Sequence, residues 1–365
     1  MTPARDRMPD VKRFAFVVSD LYGGGAQRVL LNTADGLRQR GHQVCVYLLR
    51  DKVEHRIPPG LEVVNLAVVN KVTKALANPL LEKWQAHNIK KTLKAFRPDV
   101  TISCSCDKIT RHIKGLNLYL WVHSNSIEGI SNVEKQQKLI LKLQQLYQGK
   151  KLIVVSKGIK HTLVTQVGLV AENIKVIYNP FDQAALEKSA REDVLPRHLP
   201  KEYFIHVGTF EKRKRHDRLL RAYHDSGSHT PLVIMGKGST TDTQAIRDCI
   251  SDLGLEGKVI MMDYRFNPYP LIANAKTLLL TSDREGLPTV LVEALLLHTP
   301  VISVDCPSGP KEILTHELAD FLISPENEKG LAEAIIRMDQ APVTIEERHS
   351  LQFLKETVLP QFEAL

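Results

Sequence analysis

No stretch of this 365-residue chain approaches the ~18 to 20 consecutive apolar residues that a membrane span requires. The best candidate, Val290 to Leu297, is interrupted by Glu293. Met1 to Asp10 carries charges without an apolar core, so no secretory leader is expected there. Cysteine is scarce. Its five positions (Cys45, Cys104, Cys106, Cys249 and Cys306) are odd in number and scattered, as free thiols of a reducing compartment would be. Cys104 and Cys106 have no second pair to complete a zinc site and are expected to pack at a strand end. No Asp-x-Asp motif occurs, and no His, Cys and Asp cluster has metal-ligand spacing. Gly23-Gly24-Gly25 is followed by no Gly-Lys-Ser/Thr and lacks the full G-x-G-x-x-G pattern, which disfavours P-loop and nicotinamide enzymes. Disorder is excluded by 43% hydrophobic and 25% charged residues, ordinary values for a globular chain.

Charge is present and unevenly placed. Residues 1–180 hold 28 Lys+Arg against 13 Asp+Glu, a balance of +15; residues 181–365 hold 21 against 28, a balance of −7. A basic half points to an anionic partner: a phosphorylated glycolipid, a membrane face or nucleic acid. A solvated basic surface gives the same count. The basic runs have little aromatic interleaving and no recognised RNA or DNA module, so nucleic acid is the weakest of the three.

Short apolar runs alternate with helical patterns along the chain. Arg13–Ser19 reads as a buried strand, the glycine loop 23–25 follows, and Ala26–Arg40 reads as a helix closed by Gly41. Further strands are expected at Gln43–Leu49, Glu62–Leu66, Asp99–Ser103, Leu118–Val122, Leu152–Ser156 and Lys175–Tyr178. The pattern restarts at Tyr203–Gly208 after a polar stretch, residues 182–201, that reads as a linker, and a last helix is expected at Glu346–Phe362. Such alternation means mostly parallel sheets covered on both faces. The expected organisation is two facing, doubly wound α/β domains, 1–180 and 181–345. A terminal segment, 346–365, would fold back on the first. Ligands of such sheets bind at the carboxyl ends of strands, beside helix N-termini.

Ser282-Asp283-Arg284-Glu285-Gly286-Leu287-Pro288-Thr289-Val290-Leu291-Val292-Glu293-Ala294 follows an apolar strand and opens a helix. Gly286 permits close backbone approach, and Pro288 suits a helix start. Glu285 and Glu293 lie eight residues apart, about 12 Å on an ideal helix. Glycosidase carboxylate pairs sit at about 5 to 9.5 Å, so these two more plausibly touch different parts of one long ligand. Spacing alone favours the simpler reading, Glu285 as a helix cap and Glu293 as a surface charge.

The E-x7-E segment in this setting resembles the signature of the family-four retaining glycosyltransferases of the GT-B fold. Most of the chain shares the resemblance. Gly23-Gly24-Gly25-Ala26-Gln27-Arg28-Val29-Leu30 is similar to the N-terminal glycine loop, with Gln27 where the family often has Glu. Arg40-Gly41-His42-Gln43-Val44, Val154-Val155-Ser156, Val176-Ile177-Tyr178-Asn179-Pro180 and Ser308-Gly309-Pro310-Lys311-Glu312-Ile313 are similar to other family segments in the same order. The resemblance implies that Glu285 contacts the donor sugar and that Gly286, Leu287 and Pro288 line the sugar and diphosphate. Glu293 would hold the ribose hydroxyls, since one carboxylate can accept from both. Lys214, in Lys212-Arg213-Lys214-Arg215-His216, would meet the diphosphate, whose developing charge must be stabilised as it leaves. Thr209 stands where an arginine is common, and Arg213 would supply that charge. Gly24 and Gly25 would border the donor, Arg265 the base, and His123 the sugar or the transition state.

The implied activity is metal-independent, retaining transfer of a hexose or N-acetylhexosamine from a nucleotide-sugar, a UDP-sugar first, to a glycan or glycolipid acceptor. Lipopolysaccharide, capsule or other surface polysaccharide synthesis would be its setting. No cofactor is implied, because the nucleotide-sugar is a substrate. Epimerase or phosphorylase chemistry on the same fold is the alternative reading, with a nucleic-acid-binding protein in another class. Lys71 to Arg97 carries seven cations and one acid, Glu82, with Trp84 among regularly spaced apolar residues. That pattern fits either a helix lying on an anionic membrane or a core-facing helix with a basic outer face. Peripheral attachment to the cytoplasmic face of the membrane is the matching location.

Overall fold

The computed structural model describes residues 10–70, 73, 78–127, 130, 132–193, 195–197 and 199–365. Among these residues the strands form two wholly parallel sheets. The first holds β1 (Arg13–Val18), β2 (Gln43–Leu48), β3 (Glu62–Asn65), β4 (Val100–Cys104), β5 (Leu118–Val122), β6 (Lys151–Val154) and β7 (Ile174–Val176), in the order β3-β2-β1-β4-β5-β6-β7. The second holds β8 (Phe204–Val207), β9 (Leu232–Gly236), β10 (Val259–Asp263), β11 (Thr277–Leu280), β12 (Val301–Val304) and β13 (Leu322–Ile323), in the order β10-β9-β8-β11-β12-β13. The first strand of each sheet therefore lies at the point where strand order reverses. β1 is flanked by β2 and β4, and β8 by β9 and β11. At such a point adjacent connections leave in opposite directions and open a crevice beyond the carboxyl ends.

The strands are near-continuous apolar runs because helices cover both faces. Phe14, Ala15, Phe16, Val17 and Val18 of β1 are all buried. The helix Gly25–Gln39 turns Val29, Leu30, Ala34 and Leu37 inward at helical spacing and leaves Asn32 and Gln39 exposed. Cys104 and Cys106 are buried at the end of β4, packing as sequence suggests, and all five cysteines are free.

Two segments differ from the sequence reading. Residues 183–192 are a helix, Gln183–Glu192, rather than linker. Its composition is helix-forming, and the Asp182 side chain accepts from the Ala185 amide as N-cap. With Leu186 alone buried, the segment lacks the apolar stripe that signals a helix. The terminal helix begins only at Lys355, because residues 347–349 and 351–353 form separate 3-10 turns. It lies on the first domain: Phe362 meets the Trp121 ring edge-on at 5.3 Å, and Glu363 binds Arg40 at 2.6 Å and His42 at 2.9 Å.

The chain crosses between domains at two adjacent places. Phe181 and Leu354 form a parallel bridge there, with Phe181 N donating to Phe353 O at 2.9 Å and Lys355 N to Phe181 O at 2.8 Å. Away from these crossings the domains are clasped by Glu312. Its carboxylate accepts from the amides of Lys157 (2.8 Å) and Gly158 (2.9 Å) and from the Tyr178 hydroxyl (2.9 Å). The acceptor is thus an acid seated on the N-terminus of the helix Lys157–Thr165, where free amides and the helix dipole favour negative charge. Beside it, Asn125 Nδ2 donates to Ser308 Oγ at 2.8 Å, and a Cβ on Gly158 would lie 2.7 Å from Ser308 Cα.

Hydrogen bonds to a charged group contribute about 1.5–3 kcal/mol each. Glu312→Ala is therefore expected to keep its secondary structure but to lower the thermal midpoint by at least about 3 °C. The radius of gyration in small-angle scattering should rise as the domains part. An unchanged midpoint and radius would show that the clasp contributes nothing to closure.

Candidate active site at the interdomain cleft

The two loops richest in predicted site residues leave adjacent strands. One follows β8 and carries Gly208 to Arg215; the other follows β11 and carries Thr281 to Pro288. Backbone and hydroxyl bonds stitch them together: Asp283 N donates to Arg213 O at 2.8 Å, and Thr281 Oγ1 to Lys214 O at 3.1 Å. The switch point of the second sheet thus brings the basic run and the E-x7-E segment face to face.

Within that junction the basic run divides into two roles. Arg215 binds Asp217 (2.9 Å) and Asp283 (3.0 Å), and Arg218 binds Asp283 (3.1 Å) and donates to Thr281 O (2.8 Å). These cations are neutralised by neighbours and brace the loops. Lys214 and Arg213 turn instead to Glu285: Lys214 Nζ stands 2.6 Å from Oε1, and Arg213 Nη1 stands 3.6 Å from Oε2. Arg213 also pairs with Glu211 at 2.8 Å and donates to Arg284 O at 3.3 Å. Thr209, where the family resemblance expects an arginine, is hydrogen-bonded to Glu211. Two cations thus converge on the Glu285 carboxylate, with Glu211 as a second acid at Arg213.

Below this cluster sit two buried, uncharged imidazoles. Burial and the neighbouring Lys214 push His216 down to about 4, while burial and His216 hold His206 well below the usual histidine range. Their rings stand 4.8 Å apart, and His206 Nδ1 meets Leu279 O at 2.9 Å. The charge of Lys214 is thereby left without a cationic neighbour beneath it.

Gly286, Leu287 and Pro288 are buried, and Pro288 is the N-cap of the helix Thr289–Leu296. Glu285 therefore lies in the loop ahead of that helix, whereas Glu293 projects from its body. The ideal-helix spacing does not describe the pair. Gly286 is pressed against the opposite domain: a Cβ there would sit 2.0 Å from the carbonyl oxygen of His123. His123 directly follows β5. Burial pushes its imidazole down to about 3, and its buried Nε2 has no hydrogen-bond partner. It is a neutral group with a free polar atom, placed against the loop after β11, and its protonation at neutral pH would cost heavily.

Glu293 accepts from the Tyr269 hydroxyl at 3.0 Å, and burial raises its pKa against the opposing influence of Arg28. Gly24 and Gly25 lie across the cleft at the start of the helix Gly25–Gln39, Gly24 being its N-cap. Their loop is held by Glu54, which accepts from the Gly23 amide at 3.0 Å and faces Lys237 of the second domain at 3.8 Å. Arg265 stands half-buried in the loop after β10. Among the described residues no group of three or more His, Cys, Asp or Glu side chains is placed to hold a metal ion.

Sequence reasoning passed over three residues of the cleft. Arg28 and Glu312 each lay inside a quoted segment without a role, and Tyr269 lies four positions after Arg265. Their partners lie in other parts of the chain, so local spacing gave no signal.

Two family models match in tandem, covering most of the chain. Residues 23–185 match "Glycosyltransferase Family 4", and residues 188–352 match "Glycosyl transferases group 1". Among solved structures, Anabaena HepE in complex with UDP and glucose superposes with a TM-score of 0.75 at 20% identity, over 97% of this chain and 98% of that one. The fold is GT-B. Two curated relatives share sequence. The lipopolysaccharide 1,6-galactosyltransferase of Escherichia coli (strain K12) is 26% identical over 293 residues, 73% of this chain and 75% of that protein. The N-acetylgalactosamine-N,N'-diacetylbacillosaminyl-diphospho-undecaprenol 4-alpha-N-acetylgalactosaminyltransferase of Campylobacter jejuni is 29% identical over 183 residues. That match takes in 50% of this chain and 49% of the relative, so the chain spans about half of the latter's length. The chain belongs to the family-four glycosyltransferases.

Two substitutions test the cleft. Glu285→Ala removes the carboxylate that Lys214 and Arg213 converge on, and transfer is expected to fall at least about 100-fold, the scale of losing one transition-state contact. Gly286→Ala drives a methyl group into the His123 carbonyl and is expected to cost activity comparably. Both variants should retain the wild-type circular dichroism spectrum. Turnover within threefold of wild type in either folded variant would remove that residue from the site.

Proposed function

We propose that the protein is a retaining glycosyltransferase that moves a hexose or N-acetylhexosamine from a nucleotide-sugar, a UDP-sugar first, to a glycan or glycolipid acceptor in surface polysaccharide synthesis. The observation that carries the reading is the convergence of Lys214, Arg213 and Glu285 at the switch point of the second sheet. In this assignment the donor's diphosphate displaces Glu285 from part of its contact with Lys214 and Arg213. Those two cations then neutralise the charge that grows on the leaving diphosphate. Glu285 turns to hydroxyls of the donor sugar, and Glu293 accepts from the ribose diol. His123, neutral and with Nε2 unpartnered, donates to or accepts from the sugar without serving as a base. The acceptor hydroxyl enters from the first domain and attacks on the face the diphosphate leaves. Its proton passes to the departing phosphate oxygen, so no side-chain nucleophile is required. HepE, whose fold this chain shares, is bound to UDP and glucose, which supports the UDP assignment.

The charge on the diphosphate is assigned to protein cations, so transfer should be independent of divalent metal. A transfer assay across UDP-, GDP- and ADP-sugars, run with and without EDTA, tests both assignments. UDP-sugars should be the turned-over donors, and EDTA should leave more than half of the activity. Loss on chelation with recovery on adding magnesium or manganese would overturn metal independence. Turnover of only GDP- or ADP-sugars would overturn the UDP assignment.

The acceptor side carries the second assignment. Of the segment Lys71 to Arg97, residues 71, 72 and 74–77 lie outside the described residues; Pro79–Phe96 is a helix. Ile89 and Leu93 face the core and Phe96 packs on Tyr47 at 6.3 Å, while Leu80 and Trp84 are 77% and 55% exposed beside Lys83, Lys91 and Lys94. Glu82, the segment's acid, is occupied by Arg111 and His112 at 3.3 Å. No helix among the described residues is long and apolar enough to cross a membrane. Attachment would therefore be peripheral, each cation near an anionic surface contributing about 1 kcal/mol. Wild type should pellet with anionic liposomes at low salt and less at 1 M, where the Debye length is about 3 Å. A Lys83/Lys90/Lys91/Lys94→Glu variant should stay in solution. Equal pelleting of both, or no pelleting of wild type, would remove the membrane assignment.

A further inference from the structure

The nucleoside end of the cleft contains one cation from the opposite domain. Arg28 stands in the second turn of the helix Gly25–Gln39, three residues beyond its first residue, on the first domain. Its guanidinium carbon lies 5.3 Å from the centroid of the Tyr269 ring, which belongs to the second domain. The Tyr269 hydroxyl, buried, donates to Glu293 Oε1 at 3.0 Å. Three residues from two domains are thus stacked in series: cation, aromatic ring, carboxylate.

The series has a definite electrostatic sense. No carboxylate forms an ion pair with Arg28 among the described residues, so its charge is not consumed by a neighbour. A guanidinium over a ring face is attracted by the ring's negative quadrupole. Cation and carboxylate both polarise the phenol, and the buried Tyr269 hydroxyl has Glu293 and Arg28 as its charged neighbours. Glu293 is itself partly buried; burial drives its carboxylate towards the neutral form, and Arg28 opposes this. A carboxylate must be ionised and fixed in rotamer to accept from two vicinal hydroxyls at once. Tyr269 fixes one oxygen; Arg28 supplies the field and presses on the ring that does the fixing.

We propose that Arg28 is a donor-positioning residue contributed by the first domain, acting through Tyr269 to hold Glu293 ready for the ribose of a nucleoside diphosphate. Donor affinity then depends on the domains being closed, because Arg28 reaches the ring only across the cleft. The inference rests on the assignment of Glu293 to the ribose made above.

The test uses isothermal titration calorimetry on the full chain with UDP, GDP and ADP, followed by donor KM and kcat for the nucleotide that wild type binds. Arg28→Ala should weaken that nucleotide about tenfold, which corresponds to about 1.4 kcal/mol. It should raise donor KM similarly while kcat at saturating donor changes less than threefold. Arg28→Lys, which keeps the charge but loses the planar group, should fall between the two. Tyr269→Phe should weaken binding to a similar degree, and the double variant Arg28→Ala/Tyr269→Phe should be no weaker than the worse single variant, because both act on one carboxylate. Wild-type affinity in Arg28→Ala, a loss confined to kcat, or additive effects in the double variant would each overturn the proposal. If wild type binds GDP or ADP and not UDP, the UDP assignment falls while the Arg28 series still decides this one. Binding of none of the three by a folded wild type would overturn both.

Discussion

A carbonyl of one domain and an α-carbon of the other meet with no side chain between them. The contact of His123 O with Gly286 fixes how deeply the two sheets can face each other, since a Cβ at that point would lie 2.0 Å from the oxygen. Everything assigned to the cleft depends on it. The loop after β11 cannot approach the end of β5 unless position 286 is bare. Without that approach Glu285 would stand away from the first domain, and His123 Nε2 would face solvent instead of a closed space. The glycine is therefore a statement about distance between domains more than about local backbone freedom.

Around that contact the charges are arranged by the same switch-point geometry. β8 and β11 are neighbours although more than 60 residues separate them, with Thr277 opposite Phe204. Their loops consequently share one crevice, and the run Lys212–Arg215 is sorted by what the crevice offers. Arg215 and Arg218 find Asp217 and Asp283 and become braces. Lys214 and Arg213 find Glu285 and form a counter-charge that a stronger anion can displace. The acid holds the two cations close together. This preorganisation costs less at the moment of reaction than gathering two flexible side chains would.

The fold was legible because its signals are local. Apolar runs such as Phe14–Val18 and Leu278–Leu280 bury every residue and so read as strands without reference to anything distant. The loop after β11 was legible for a similar reason: glycine, proline and acid occur at short spacing around Gly286. What was not legible is what joins distant parts. Glu312 accepts from an amide 155 residues away, and nothing in Pro310–Ile313 announces that the acid caps another domain's helix. Arg28 and Tyr269 are 241 positions apart and meet only because two sheets face each other. The helix Gln183–Glu192 was missed for a different physical cause. It buries Leu186 alone, so it has propensity and a cap but little amphipathic pattern.

The paired crossings at Phe181 and Leu354 bear on how such a molecule can move. Two strands that pass between the bodies side by side, hydrogen-bonded to each other, act as one stiff two-ply ribbon. A single crossing would allow swivelling in every direction. The ribbon resists shear and twist because either would break its own bonds, and it leaves bending about a line across both plies as the soft direction. The Glu312 clasp and the Arg28–Tyr269 contact both join the two domains, so a bend about that line would part them together.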